Sequence, residues 1–244
     1  MKRFFLALRF LTVYPFGGGE EVSTEDLAGS VIFYPVVGAL IGLLLFLFWR
    51  WAQTVWPVLL AATLTVALWE LISAGLHLDG LMDTFDGLGV RGDLAKRLTV
   101  MKDSRVGAFG AQVLVLSMLL KVLAVAALEE KAELLIFAPV AGRTAMVVLM
   151  ATCCYARASG GLGKVFVDQI GLRQLMLPLS LYLLIGFAIL SWPLLYYTLS
   201  LAAVLFILRY FFRLNFGGVT GDILGAACEL LELIVLLLAP FMYV

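Results

Sequence analysis

Long apolar runs alternate with short polar connections along most of the chain, a pattern typical of a protein that crosses a membrane several times. One helix is predicted to begin near Ser23 or Thr24, both N-cap candidates, and to run to about Trp49. Further apolar runs cover residues 54–75, 107–128, 133–153, 174–190, 194–212 and 224–243. Since a crossing needs about 20 residues, the pattern predicts about seven spans.

The first residues form a shorter apolar segment. Residues 4–16 place aromatic residues and leucines around Arg3 and Arg9 and end near Pro15. This run is too short to cross a bilayer, so it predicts a short interfacial or re-entrant helix. Because Arg9 interrupts the run and no small-residue cleavage site follows, we expect the segment to be retained in the protein.

Composition supports the membrane assignment. Of 244 residues, 63% are hydrophobic and 14% are charged, far from the balance of a soluble domain. We therefore expect an all-α polytopic transmembrane bundle forming a single integral-membrane domain over residues 1–244. The formal net charge is zero, so no overall basic field indicates nucleic acid. Cys153, Cys154 and Cys228 have neither zinc-ligand spacing nor the pattern of a disulfide framework.

The basic residues in the loops predict the topology, because Lys and Arg concentrate on the cytoplasmic side of short loops. With a cytoplasmic N-terminus, most of them fall on one face, whereas Arg50 and Lys131 fall on the other. The polar segments 76–106, 154–173 and 213–223 then share the cytoplasmic face. A site assembled from these segments would open toward the cytoplasm.

The segment LHLDGLMDTFDG carries three aspartates at helical spacing. Asp79, Asp83 and Asp86 fall on one helix face, where their mutual repulsion favours a hard divalent cation such as Mg²⁺. They are the candidate catalytic and metal-binding residues. Gly80 and Gly87 weaken the helix but let a ligand or another backbone come close, which favours a binding site. The alternative is a solvated acidic helix end that pairs with nearby arginines.

A basic segment, MKDSRVG, lies directly before the third span. Its substrate-binding candidates are Lys102, Asp103, Ser104 and Arg105. Lysine as a point charge and arginine as a bidentate fork together suit a diphosphate. The alternative is ordinary anchoring by positive charges at the cytoplasmic face.

The glycine-rich segment FGGVTGD leads into the last span. Gly217, Gly218 and Thr220 form a turn before a helix N-terminus, where free N–H groups favour a phosphate, so they are substrate-binding candidates. Asp222 and Glu229 are seven residues apart on one face of the following helix and are further candidate metal ligands. The alternative is a capped helix whose small residues allow close helix packing.

Several charged or polar residues lie within or beside predicted spans. Glu70 and Arg143 each require an ion-pair partner or a catalytic role, and Arg143 is retained as a substrate-binding candidate. His77, the one histidine, points away from the aspartate face by helix numbering, so we include it as a substrate-binding candidate rather than as the general base. Lys121 is expected to extend toward the outer membrane face.

Three motifs in this order resemble the adenosylcobinamide-GDP ribazoletransferase (cobalamin synthase) family: LHLDGLMDTFDGLG, MKDSRVGAFG and FGGVTGDILGAACELLE. The opening RFLTVYPF is also similar to the start of that family, and the resemblance covers nearly the whole chain. It implies a magnesium-dependent, multi-pass enzyme of the inner membrane that joins adenosylcobinamide-GDP to α-ribazole or its 5′-phosphate and releases GMP. The resemblance is also compatible with a homo-oligomer and with docking of other corrinoid-pathway enzymes.

The resulting hypothesis is that the three aspartates, with Asp222 or Glu229, hold Mg²⁺ against the diphosphate while Lys102 and Arg105 neutralise charge. Asp83 would accept the proton of the attacking ribose hydroxyl. One alternative is a CDP-alcohol phosphotransferase that acts on a lipid through a similar acidic site. Another is an ion-coupled carrier. This alternative is disfavoured because the acids cluster at one face, no inverted repeat is apparent and no broken span is predicted to carry the acids at the midplane.

Overall fold

The computed structural model describes residues 1–14, 22–158 and 160–241, and these residues form a helical protein. The α-helices are α1 (Lys2–Leu11), α2 (Thr24–Gly29), α3 (Tyr34–Val55), α4 (Val58–Ile72), α5 (Leu76–Gly89), α6 (Leu94–Val100), α7 (Ala108–Ala126), α8 (Leu134–Thr152), α9 (Leu162–Gln169), α10 (Leu172–Leu190), α11 (Pro193–Phe216) and α12 (Gly221–Leu237). Two 3-10 turns cover Ser30–Phe33 and Ala239–Phe241. The all-α prediction is confirmed.

Five helical segments in the described ranges are long and apolar enough to cross a membrane, which identifies a polytopic membrane protein. They are Thr24–Val55, Ala108–Ala126, Leu134–Thr152, Leu172–Leu190 and Pro193–Phe216. α4 and α5 pass the same test together, but the pair is bent by 88° and counts as at most one broken span. The described chain thus has five or six candidate spans, compared with the predicted count of about seven.

The bend between α4 and α5 accounts for part of this difference. Ala74 and Gly75 follow α4 with φ angles of 52° and 64°, and the left-handed conformation ends a helix. The predicted span 54–75 is therefore reduced to the 15 residues of α4. A single sequence gives little warning of such a turn, because Ala74 seldom adopts this conformation.

The last predicted span, residues 224–243, corresponds to α12. This helix has 17 residues and carries three carboxylates. Both properties set it apart from the long apolar spans, although most of its side chains are buried. Residues 242–244 lie outside the described ranges.

The N-terminal helix is confirmed in part. α1 covers Lys2–Leu11, whereas the predicted end of this helix, from Pro15 onward, lies outside the described residues. Ser23 is confirmed as an N-cap, since its hydroxyl accepts a hydrogen bond of 3.1 Å from the backbone N–H of Asp26. Val13 donates a backbone hydrogen bond of 2.8 Å to Ile72, which ties the segment after α1 to the end of α4.

α8 forms the centre of the bundle and is the most completely buried of the long helices. It packs against α3, α10 and α12. A Cβ atom added at Gly38 or Gly42 of α3 would lie 2.5 Å from backbone atoms of Pro139 or Ile136 in α8. These two glycines therefore allow the backbones of α3 and α8 to touch, as small residues do in membrane helix pairs.

Gly42→Leu is expected to destabilise the protein by about 1–3 kcal/mol or more, because the new side chain would meet the α8 backbone. Thermal unfolding in detergent, followed by a fluorescent thiol or tryptophan probe, would measure this loss. Ala203→Leu is the matched control, since Ala203 is exposed on α11 and has room for the larger side chain. Equal melting temperatures for the two variants would contradict the close packing of α3 on α8.

Candidate functional site

α5 lies across the ends of two other helices rather than continuing α4. A Cβ added at Gly80 would lie 2.5 Å from the carbonyl oxygen of Asp222, at the first turn of α12. The two carboxylate oxygens of Asp86 accept hydrogen bonds of 2.7 Å from the backbone N–H groups of Gly107 and Gly110, at the first turn of α7. The aspartates of α5 therefore lie at the end of the bundle where α7 and α12 begin.

The glycines of α5 serve contact between helices. Gly80 faces the backbone of α12, and a Cβ added at Gly87 would lie 2.7 Å from the side chain of Met101, just after α6. The sequence left open whether these glycines let a ligand or another part of the chain come close, and the structure shows another part of the chain. Asp86 has a structural task as well, because it binds two otherwise unpaired N–H groups at the start of α7.

Asp83 is the half-buried member of the acidic cluster. Burial, followed by repulsion from Asp79 and Asp222, raises the pKa of its carboxyl to about 7, and the Arg157 guanidinium partly opposes this rise. Asp86 adds a smaller repulsion. Like charges held together in this way favour either a bound proton or a bound cation. The site therefore favours a positively charged partner at Asp83.

Arg157 is a site residue that the sequence did not single out, because it is one of several basic residues in the polar segment 154–173. Its Nη2 donates to Oδ2 of Asp222 at 2.6 Å and to the carbonyl oxygen of Met101 at 3.4 Å. Val219 donates to the carbonyl oxygen of Cys154 at 2.9 Å, which holds the segment before Arg157 against the start of α12. Only its place in a polar loop pointed to this role.

The predicted diphosphate-binding segment lies at the rim of the acidic cluster, because Gly107 at its end binds Asp86. Arg105 is exposed and donates to both carboxylate oxygens of Asp103, with a shortest distance of 2.6 Å. This pair lowers the pKa of Asp103 to about 2. Lys102 and Ser104 are exposed to solvent. Arg105 must share or leave Asp103 before it binds an anion.

In the glycine-rich turn before α12, each candidate residue has a structural role. Gly217 has a φ angle of 77° and ends α11, as a C-terminal glycine often does. A Cβ added at Gly218 would lie 2.2 Å from the carbonyl oxygen of Cys154, so this position needs glycine for packing. Thr220 caps α12 by accepting a hydrogen bond of 3.3 Å from the N–H of Ile223. The sequence alternative of a capped, closely packed helix is therefore observed.

Glu229 does not join the aspartates, and the structure removes it from the predicted metal-binding set. It belongs to a second, buried group of charges inside the bundle, centred on Lys121. The Lys121 Nζ lies 2.8 Å from Glu70, 2.9 Å from Glu229 and 3.2 Å from Glu232. It also lies 4.1 Å from the ring centroid of Trp69. The prediction that Lys121 extends to the outer face is wrong, because these carboxylates bind it in the interior.

Arg143 belongs to the same buried group. It forms an ion pair with Glu232, and its Nη2 lies 3.5 Å from Nδ1 of His77. Three carboxylates and two cations thus share the interior of the bundle. Glu70 lies on α4, two residues before that helix ends at the bend. Lys121 and Arg143 bind these acids in ion pairs, as expected for structural charges.

Among the described residues, no three His, Cys, Asp or Glu side chains lie close enough together to hold a metal ion by themselves. The protein side of the acidic cluster is therefore an incomplete ligand set. The ligand type still suits Mg²⁺, because this ion binds carboxylate oxygens and commonly shares one or two of them with substrate phosphates and water. Asp79 and Asp83 are the carboxylates whose repulsion such an ion would relieve.

Without a divalent cation, Asp83 should make stability depend on pH. Its carboxyl has a pKa of about 7 in the fold against an ordinary value of 3.8, so the fold favours the protonated form. This contribution is complete below about pH 4 and is lost as the pH rises through about 7. Melting temperatures in EDTA should therefore be higher for Asp83→Asn than for wild type at pH 8, by roughly a few degrees. The difference should become smaller as the pH falls below 7 and should vanish near pH 4, and a difference that does not change with pH would refute the raised pKa.

Known proteins resemble this chain along nearly its full length. The family model described as Cobalamin-5-phosphate synthase matches residues 3–240. The adenosylcobinamide-GDP ribazoletransferase of Syntrophobacter fumaroxidans is 38% identical, with 99% of each chain covered. The enzyme of the same name from Pseudomonas fluorescens strain Pf-5 is 41% identical, with 97% of this chain and 98% of the relative covered. No solved structure matches. The chain therefore belongs to the cobalamin-5-phosphate synthase family.

Proposed function

We propose that this protein transfers adenosylcobinamide phosphate from adenosylcobinamide-GDP to α-ribazole or its 5′-phosphate and releases GMP. The observation that carries the proposal is the half-buried Asp83, which lies beside Asp79 and Asp222, with Arg157 bonded to Asp222. Such a carboxylate cluster suits proton removal and phosphoryl transfer. The names of the relatives supply the substrates, since two of them are adenosylcobinamide-GDP ribazoletransferases.

Mg²⁺ is the cofactor that the acidic cluster fits, with Asp79 and Asp83 as its protein ligands. When bound, the ion would neutralise charge on the diphosphate of the donor. Asp222 contributes negative charge to the same place but is bonded to Arg157. Asp86 is the fourth candidate, although its oxygens already bind two backbone N–H groups of α7.

The chemical step would use groups that already lie close together. A ribose hydroxyl of α-ribazole attacks the phosphorus on the cobinamide side of the diphosphate and forms a new O–P bond. The P–O bond to GMP breaks, and GMP leaves with the bonding electron pair. Asp83 takes the hydroxyl proton through the carboxylate oxygen that does not bind the ion. Lys102 and Arg105, at the rim, stabilise the charge of the diphosphate.

We propose that the site faces the cytoplasm from the inner membrane. The acidic cluster lies beside Arg157 and beside the basic segment 102–107, and basic residues are favoured on the cytoplasmic side. Both substrates would then reach the site from solution, with the lipid bilayer surrounding the long helices. A homo-oligomer and docking of other corrinoid-pathway enzymes stay expectations of the family resemblance.

The donor specificity tests this proposal against a CDP-alcohol phosphotransferase. Purified protein in nanodiscs with Mg²⁺ and α-ribazole phosphate should release GMP from adenosylcobinamide-GDP and should release no CMP from CDP-diacylglycerol. The reverse result would replace the proposed function with the lipid one. Uptake of either substrate into sealed vesicles without any nucleotide release would instead favour a carrier, a role compatible with the broken α4–α5 span.

A further inference from the structure

A cavity of about 190 Å³ opens beside the acidic cluster. Asp79 and Asp222 form part of its wall, so the cavity and the cluster share two side chains. Pockets that enclose a whole drug-sized ligand are usually about 300–1,000 Å³, so this cavity accommodates only one ring system of a larger molecule. The group that it holds would be attached to something lying at the aspartates.

The remaining wall is suited to a flat aromatic ring. It includes Phe10 from α1, Phe166 from α9, and Met146 and Met150 from α8. The rings of Phe10 and Phe166 lie 5.3 Å apart, and aromatic and methionine side chains are favourable neighbours of an aromatic ligand. Gly163 also lines the cavity, and a Cβ added there would lie 3.1 Å from the backbone nitrogen of Gly221, so this glycine lets α9 lie close to the start of α12.

His77 supplies a polar group in this apolar wall. Its Nδ1 faces Nη2 of Arg143 at 3.5 Å, and a guanidinium can only donate, so Nδ1 accepts and Nε2 carries the hydrogen. The Nε2 atom is buried and has no hydrogen-bond partner among the described residues. A buried donor without a partner is costly, so a ligand that accepts its hydrogen bond would gain affinity.

We infer that this cavity is the subsite for the benzimidazole base of α-ribazole, and that Nε2 of His77 donates to the ring nitrogen of that base not bonded to ribose. The inference rests on the proposed function for the identity of the substrate. Guanine fits the wall less well, because its edge carries several donors and acceptors that need polar partners. A base seated there places its ribose beside Asp79 and Asp222, within reach of Asp83.

Equilibrium binding to the wild-type protein tests the subsite without any turnover. The probes are α-ribazole phosphate and an analogue in which a C–H replaces the free ring nitrogen, an indole riboside phosphate. The analogue should bind about tenfold or more weakly, because it leaves Nε2 of His77 unpaired. Equal affinities would overturn the inference. This comparison needs no variant, so it is independent of folding defects.

Substitution of His77 gives the second test. His77→Phe should raise the KM for α-ribazole phosphate about tenfold or more, leave the KM for adenosylcobinamide-GDP within about twofold, and bind both riboside phosphates equally. His77→Gln, which retains a donor, should recover part of the loss. A change in KM confined to the corrinoid donor would overturn the inference and assign the cavity to guanosine.

The outcomes separate the subsite from the proposed function. Tight, nitrogen-dependent binding of α-ribazole phosphate without GMP release would support the subsite and contradict the proposed reaction. Normal GMP release with equal use of the two riboside phosphates would support the reaction and contradict the subsite. Absence of both binding and release would overturn both.

Discussion

Asp83→Asn is expected to lower the rate of GMP release about a hundredfold or more while the protein remains folded. An asparagine of the same shape cannot accept the proton of the attacking hydroxyl, and general base catalysis is worth about 10²–10⁴ in rate. It also removes a charge from the centre of the acidic cluster, where Asp79 and Asp222 surround Asp83. Single-turnover GMP release from adenosylcobinamide-GDP would measure the loss.

The matched control is Asp168→Asn, the same change at an exposed carboxylate. Asp168 is paired with Lys164 one turn earlier on α9, and such surface pairs contribute little. Its GMP release should remain within about twofold of wild type. A rate for Asp83→Asn within tenfold of wild type, with both variants folded, would remove Asp83 from the role of general base.

Lys121→Met is expected to destabilise the protein by about 3–5 kcal/mol, the usual cost of breaking a buried ion pair by removing one partner. Lys121 is 1% exposed and bonded to three glutamates, so its loss leaves their charges to Arg143 alone. The expected signs are a low yield of folded protein and a large drop in melting temperature in detergent.

Two further variants separate charge from packing at this position. Lys121→Met combined with Glu229→Gln should recover part of the lost stability, because it removes one uncompensated carboxylate. Lys164→Met, at an exposed pair, should change the melting temperature little. If Lys121→Met were as stable as Lys164→Met, the buried charges would have no structural role.

Local patterns were sufficient to predict the helix that carries the aspartates and the segments that surround it. The spacing of Asp79, Asp83 and Asp86 indicated a helix, and α5 contains all three. Hydropathy predicted α10 and α11 closely, because spans of this kind depend on their own length and composition.

Features that depend on distant parts of the chain could not be predicted in this way. Lys121 forms ion pairs with Glu70 and Glu229, which are 51 and 108 positions away along the chain. Arg157 and Asp222 are 65 positions apart, and nothing in the local sequence distinguishes Arg157 from other basic loop residues. The 88° bend after α4 depends on the docking of α5 against α7 and α12. Each of these requires the packed bundle.

The most direct test of the proposed reaction follows the phosphorus atom itself. Adenosylcobinamide-GDP labelled only at the cobinamide-side phosphorus is incubated with α-ribazole phosphate, Mg²⁺ and the protein in nanodiscs. Transfer at this phosphorus predicts one unlabelled GMP for each labelled cobalamin phosphate. Label recovered in adenosylcobinamide phosphate or in GDP would show that a different bond breaks and would contradict the proposed reaction. Folded protein that forms no corrinoid product with either form of α-ribazole would also contradict it.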